Sequence, residues 1–131
     1  MQKSKGQVEA EISEAMVRLQ RERTGRGPTQ AHTYLLQDMV IVRMQEVLTP
    51  AERQLTGKPY GQSLVKQFHQ QMHEIARQDL EKVVEEHTGC RVISIHSDVS
   101  TKSGEQISIF IVDQNIENLF PRRPDSPLTR R

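Results

Sequence analysis

His69 and His73 stand four residues apart, the spacing that places two imidazoles on one face of a helix, and Glu74 and Glu86 offer carboxylates on the same segment. A zinc-protease helix carries its glutamate directly after the first histidine, but Gln70 and Gln71 stand there, so that chemistry is not supported. Both are read as structural or surface histidines, and no metal site is assigned. His96 has Asp98 two residues on, yet no nucleophile or third group can be placed with the pair. Cys90 follows the end of a long periodic segment, where the helix dipole disfavours a thiolate, and is read as a buried small residue. Gly25-Arg26-Gly27-Pro28-Thr29 could offer backbone amides and a guanidinium to an anion such as phosphate or bicarbonate. Gly25, Arg26, Gly27 and Thr29 are therefore the candidate ligand-binding residues. The loop lacks the Gly-x-x-x-x-Gly-Lys-Ser/Thr spacing of a nucleotide loop and leads into a strand. No catalytic residue and no cofactor is assigned.

These residues must be positioned by six main elements. Val8, Ile12, Ala15, Met16 and Leu19 recur at helical spacing and predict an amphipathic helix over Val8 to Arg23, stopped by Gly25. Ala31 to Val47 is rich in strand formers with Gln37-Asp38 as its polar break, which predicts a hairpin, although that turn lacks the glycine a two-residue turn prefers. In its second arm both faces begin apolar, so the sheet is expected to be covered on both sides for part of its length. Thr49-Pro50-Ala51-Glu52 is a capping-box pattern for a short helix over Pro50–Leu55. A long helix is predicted from Gln62 to His87, with Leu64, Phe68, Met72, Ile75, Leu80 and Val83 or Val84 as its apolar stripe. Thr88-Gly89 ends it, and two further strands are expected over Arg91–Asp98 and Gln106–Val112. Strict alternation in the first groups Val92 with Ser94 and His96.

The order α-β-β-α-β-β predicts a two-layer α+β fold: an antiparallel sheet of two hairpins with two main helices on one face, expected to dimerise. Residues 1–7 are read as a flexible N-terminus, 8–114 as one domain, and 115–131 as a mostly disordered tail rich in proline and arginine. At 131 residues one domain is expected. The charge is balanced, 18 basic against 17 acidic residues, so no field favours nucleic acid, and no nucleic-acid partner is expected. No run approaches a membrane span and Met1–Gly6 has no signal-peptide core, so a cytoplasmic protein is expected. A single cysteine agrees with a reducing compartment.

Glu11-Ile12-Ser13, Gly25-Arg26-Gly27-Pro28-Thr29, Thr33-Tyr34, Leu48-Thr49-Pro50-Ala51-Glu52 and Thr88-Gly89, in this order, resemble the MpsC-like family over roughly Val8 to Val112. That family takes its name from the third component of a bacterial Na+-translocating, membrane-potential-generating system. The resemblance implies occurrence beside cation or inorganic-carbon transport and carries over no catalytic residue. A chain without a membrane span cannot itself carry an ion across a bilayer, so an accessory role is expected. The leading expectation is a non-enzymatic cytosolic module, a homodimer, regulating a cation-translocation or bicarbonate-uptake system by protein binding, with an integral membrane transporter component as partner and a peripheral place at the inner face of the membrane. The alternative is a small-anion or nucleotide sensor at Gly25–Thr29. A small enzyme built on a histidine and carboxylate cluster ranks last.

Overall fold

Ser4 starts the first helix with a reciprocal cap: its hydroxyl accepts from the Gln7 amide at 3.2 Å, and the Gln7 side chain accepts from the Ser4 amide at 2.8 Å. The computed structural model describes residues 2–25 and 27–122. Helix α1 spans Lys5–Thr24, starting three residues before the first apolar position because the cap lies outside the apolar pattern. Strands β1 (Gln30–Leu36) and β2 (Met39–Gln45) form the first hairpin. Helix α2 (Pro50–Leu55) and the long helix α3 (Pro59–Thr88) follow, then strands β3 (Val92–Val99) and β4 (Gln106–Val112). The fold is α+β, and its single sheet is antiparallel throughout in the order β1-β2-β4-β3.

One face of the sheet is the core. Leu35, Val40 and Phe110 lie side by side across it, with Val42 and Met44 further along β2. Val8, Ile12 and Met16 of α1 and Val65 and Val84 of α3 join the same buried cluster. Burying these side chains is the main stabilising term, about 1.5–3 kcal/mol for each large one. The core continues past the last strand, because Ile116 in a short 3-10 turn (Ile116–Asn118) is fully buried and Leu119 and Phe120 pack against it. Residues 123–131 of the expected tail lie outside the described residues.

Among the described residues no helix covers the opposite face, which is organised in three cross-strand rows. Leu36, Met39, Ile111 and Ser94 form the first; Tyr34, Ile41, Ile109 and His96 the second; His32, Arg43, Ile107 and Asp98 the third. Tyr34 and Leu36 are 47% and 43% exposed. The two-sided cover expected for β2 is therefore present on one side only.

Both outer strands are guarded by carboxylates. The Leu35 amide on β1 donates to Glu9 at 2.9 Å and the Val92 amide on β3 to Glu85 at 2.8 Å. Each occupies an edge donor that another strand could otherwise pair with.

Two register expectations are corrected. A bulge at Ile93 shifts β3 by one residue, so Val92 pairs with Val112 on the core face while Ser94 and His96 face outward. On α3 the fully buried positions are Gly61, Val65, His69, Ala76, Val84 and Thr88, whereas Leu64, Phe68 and Ile75 of the expected stripe are exposed, Ile75 by 64%. Over Leu64 to Ala76 the buried side sits one residue, or about 100°, from the expected stripe, whereas Leu80, Val83 and Val84 of that stripe pack into the core as expected. Contacts with α2, described below, set that rotation.

The β1–β2 turn is made without glycine: Gln37 takes φ of 55°. Its amide donates to the Glu117 carboxylate at 2.9 Å, and its carbonyl accepts from the Glu117 amide at 3.1 Å, which holds the strained residue in place. That amide holds the Glu117 carboxyl below its ordinary pKa, with Lys5 and Arg122 adding to the effect against partial desolvation. A depressed carboxyl pKa contributes stability above the ordinary glutamate range and loses it as pH falls through the lower native value. On acid titration by NMR, the Gln37 amide shift is expected to follow a carboxyl titrating below the ordinary glutamate range, and Glu117→Gln should abolish that titration.

A Cβ on Gly61 would lie 1.8 Å from the Leu55 carbonyl oxygen, a backbone atom that cannot yield without moving α2. Gly61→Ala is expected to destabilise by about 1–3 kcal/mol in urea denaturation, the usual range for overpacking. Gly6→Ala, with nothing within 4 Å, should stabilise α1 by about 0.5–1 kcal/mol.

Candidate functional site

Thr49 begins α2 as the sequence pattern indicates. Its hydroxyl accepts from the Glu52 amide at 3.2 Å, and Glu52 Oε1 accepts from the Thr49 amide at 2.8 Å. The other carboxylate oxygen, Oε2, lies 2.7 Å from His69 Nε2 on α3. A carboxylate only accepts, so the imidazole donates through Nε2. Glu52 and His69 are both nearly buried, with side chains 13% and 8% exposed. One side chain thus caps α2 and ties it to α3.

Around this pair opens a groove of about 460 Å³. Its floor is Val47, Val65 and the Glu52–His69 pair, its walls are Leu55, Leu64, Phe68 and Met72, and Arg23 and Thr24 from the end of α1 close one side. Arg23 is ion-paired with Asp79 of α3. Phe68 is 48% exposed and meets the His69 ring edge-on at 5.5 Å between centroids. The groove is apolar apart from Arg23, Thr24, Thr49 and the Glu52–His69 pair, a composition suited to binding an apolar surface with a few polar anchors.

On the far side of His69 the interior carries polar groups. A small cavity of about 30 Å³ is lined by His69, His73, Gln106 and Ser108 together with apolar side chains that include Met16, Val42 and Phe110. His73 Nε2 is buried with no hydrogen-bond partner, and burial lowers its pKa against the opposing charge of Glu74. The hydroxyls beneath the helices pair with one another: Ser13 with Thr33 at 2.8 Å and Ser97 with Ser108 at 3.0 Å.

The remaining sequence candidates fall in separate places. His69 and His73 share one side of α3, as their spacing requires, but only His69 reaches a carboxylate. His96 lies on the bare sheet face with Nε2 3.3 Å from Ser94 Oγ. Cys90 is buried, and that burial pushes its thiol pKa up, with Asp113 adding and a Thr88 hydrogen bond opposing. Among the described residues no group of three or more His, Cys, Asp or Glu is placed to hold a metal ion. Gly25 caps α1 at φ of 78° and its amide donates to the Arg21 carbonyl at 2.8 Å. Gly27 lies against the Arg21 guanidinium, whose atoms come within 3.0 Å of where a Cβ would stand. The exposed Thr29 donates its amide to the Gln45 carbonyl at 3.1 Å. Arg26 lies outside the described residues. The loop adjoins the groove through Thr24, one residue before Gly25.

Sequence reasoning read the capping box but missed the second role of Glu52, which no local pattern encodes. It also placed Gly61 ahead of the long helix, expected from Gln62, whereas α3 starts at Pro59 and holds Gly61 inside its first turn against the Leu55 carbonyl.

The fold defines a small two-layer α+β protein with a helix-walled, largely apolar groove beside the Glu52–His69 pair. The chain belongs to the MpsC family: residues 4–114 match the family described as the Na+-translocating membrane potential-generating system (MpsC). It is 34% identical over 117 residues to the uncharacterized protein YbcI of Bacillus subtilis (strain 168), covering 89% of this chain and 94% of that protein. It is also 21% identical over 108 residues to the uncharacterized protein YrhF of the same organism, covering 82% and 88%. No solved structure gives a significant match. Among the described residues no helix is long and apolar enough to cross a membrane.

Glu52→Ala removes a cap and leaves His69 buried without its acceptor. It is expected to lower stability by about 2–4 kcal/mol, from about 1 for the cap and 1–3 for the unpaired imidazole. Glu52→Gln keeps an acceptor for Thr49 and a donor for the other His69 tautomer, so chemical denaturation should show a clearly smaller loss.

Proposed function

We propose that the chain is a non-enzymatic accessory or regulatory module of a membrane cation-translocation or bicarbonate-uptake system, acting in the cytoplasm by protein binding. It would work as a homodimer, held peripherally at the inner face of the membrane by an integral transporter component. The observation that carries this reading is the apolar groove between α2 and α3, with Leu55, Leu64 and Phe68 turned outward around it and Ile75 further along α3. Outward apolar side chains at i, i+4 and i+11 of a helix form a stripe that a helix of another protein can cover. A membrane component as the class of partner is supported by the family's description as a Na+-translocating membrane potential-generating system. A binding role also agrees with the state of the reactive groups: His69 is committed to Glu52, and His73 and Cys90 are turned inward.

An anion or nucleotide sensor at Gly25–Thr29 is the second reading, favoured by the Arg21 guanidinium lying against Gly27. It calls for direct binding of phosphate or bicarbonate that Arg26→Ala removes.

Affinity purification from the native host after gentle crosslinking, with membrane and soluble fractions analysed separately by mass spectrometry, distinguishes the two. The wild-type chain is expected to recover an ion or inorganic-carbon transporter subunit from the membrane fraction. Leu64→Ser/Phe68→Ser, which alters two exposed side chains, should lose that subunit at unchanged helical content. Recovery of the chain alone would overturn the accessory reading.

A further inference from the structure

Charge is distributed unevenly along α3. Between Glu52 and Glu74 the chain has no acidic residue, and Arg53, Lys58 and Lys66 fall within that stretch. The second half of the helix reverses this, with Glu74, Asp79, Glu81, Glu85 and Glu86 against Arg77 and Lys82. The loop between β3 and β4 shares the basic end. The Arg53 guanidinium comes within 3.1 Å of where a Cβ on Gly104 would stand, and Lys66 meets Asp98 at 3.3 Å. That loop adds the exposed Lys102. The carboxylates of this surface are committed: Glu52 to Thr49 and His69, Asp98 to Lys66, and Glu105 to Arg43. Arg53, Lys58 and Lys102 are exposed and, among the described residues, have no ion pair. Glu46, at the exit of β2, is the nearby exposed carboxylate without one, so cations remain in excess. Leu55 and Tyr60 alternate with these cations along the chain, and they are 43% and 70% exposed.

We propose that this end of the molecule docks on the anionic surface of a lipid bilayer, with Leu55 and Tyr60 at the headgroup boundary and Arg53, Lys58 and Lys102 against lipid phosphates. The inference rests on the peripheral placement proposed above and adds a direct contact with lipid, which a module held by a transporter does not need. Exposed apolar side chains among cations form the pattern of interfacial binding, and tyrosine suits a boundary that is apolar on one side and wet on the other. Nucleic acid would engage the cations but give Leu55 no apolar surroundings, and two apolar side chains are too few for the core of a stable protein interface. The acidic half of α3 keeps its distance, since Glu81 lies about 30 Å along the helix from Tyr60. Phe68 stands about 12 Å beyond Tyr60, which leaves the groove open to a protein partner.

The test is flotation of the full chain with lipid vesicles. Vesicles of phosphatidylcholine and phosphatidylglycerol in equal parts are expected to carry the chain at low ionic strength, and vesicles of phosphatidylcholine alone are not. Binding should fall as salt screens the cations. Lys58→Gln/Lys102→Gln should bind about 25-fold more weakly, about fivefold for each charge removed. Lys82→Gln, on the acidic half of α3, should bind as the wild type does. A polarity-sensitive dye on Tyr60→Cys should report an apolar environment on binding, and one on Gln78→Cys should not; Cys90 is buried. No binding to the mixed vesicles with native circular dichroism, or binding unchanged in the double variant, would overturn the lipid contact. If the crosslinked chain then still recovers a transporter subunit, the accessory reading stands without it. Vesicle binding that the double variant loses, with no transporter recovered, would support the lipid contact and overturn the accessory reading. Loss of the transporter but not of vesicle binding in that variant would assign the surface to an acidic protein and overturn the lipid contact.

Discussion

The Glu52 carboxylate serves two helices at once, and the arrangement of α3 follows from it. One oxygen closes the cap of α2 and the other accepts from His69, so α2 cannot form its cap without presenting an acceptor to α3. Gly61 completes the constraint by letting the α3 backbone come against the Leu55 carbonyl. A polar bond and a steric contact together outweigh the transfer energy that would favour burying Phe68 in place of His69. With His69 turned inward the nearly buried Glu52 carboxylate keeps its donor, and Phe68 is left half-exposed.

That choice also shapes the surface. With α3 turned by one residue, Leu64, Phe68 and Ile75 face outward and the groove against α2 opens beside them. On the other layer, the sheet gives its aliphatic residues to both faces although only one is covered by helices. The protein therefore has one completed core and two apolar surfaces available to partners. The groove is concave and walled by helices, whereas the sheet face is a broad open surface.

The element order was legible because most boundaries carry local chemistry: the Thr49–Glu52 cap, the Gly25 and Gly89 terminators, and the alternation of Gln106–Val112. Residues whose roles come from contacts distant in sequence were not legible. The Gln37 turn is held at a positive φ by Glu117, eighty positions away. The Ile93 bulge depends on how β3 meets β4 and moves Val92 to the other face. In the Gly25–Thr29 loop, the local cues correctly marked the end of a helix and the start of a strand, and the structure adds Arg21 against Gly27.

The sequence by itself determined the fold class, the hairpins, both main helices and the family, since each is written in periodicity, caps or a contiguous motif. Tertiary structure decided which face of α3 is buried, which side of the sheet is left bare, and that Glu52 and His69 meet. The physical reason is one of range. Propensity and capping act over a few residues and can be read along the chain. Satisfying a buried polar group depends on partners brought together only when the layers pack, and where that requirement opposed hydrophobic pattern, the buried hydrogen bond prevailed.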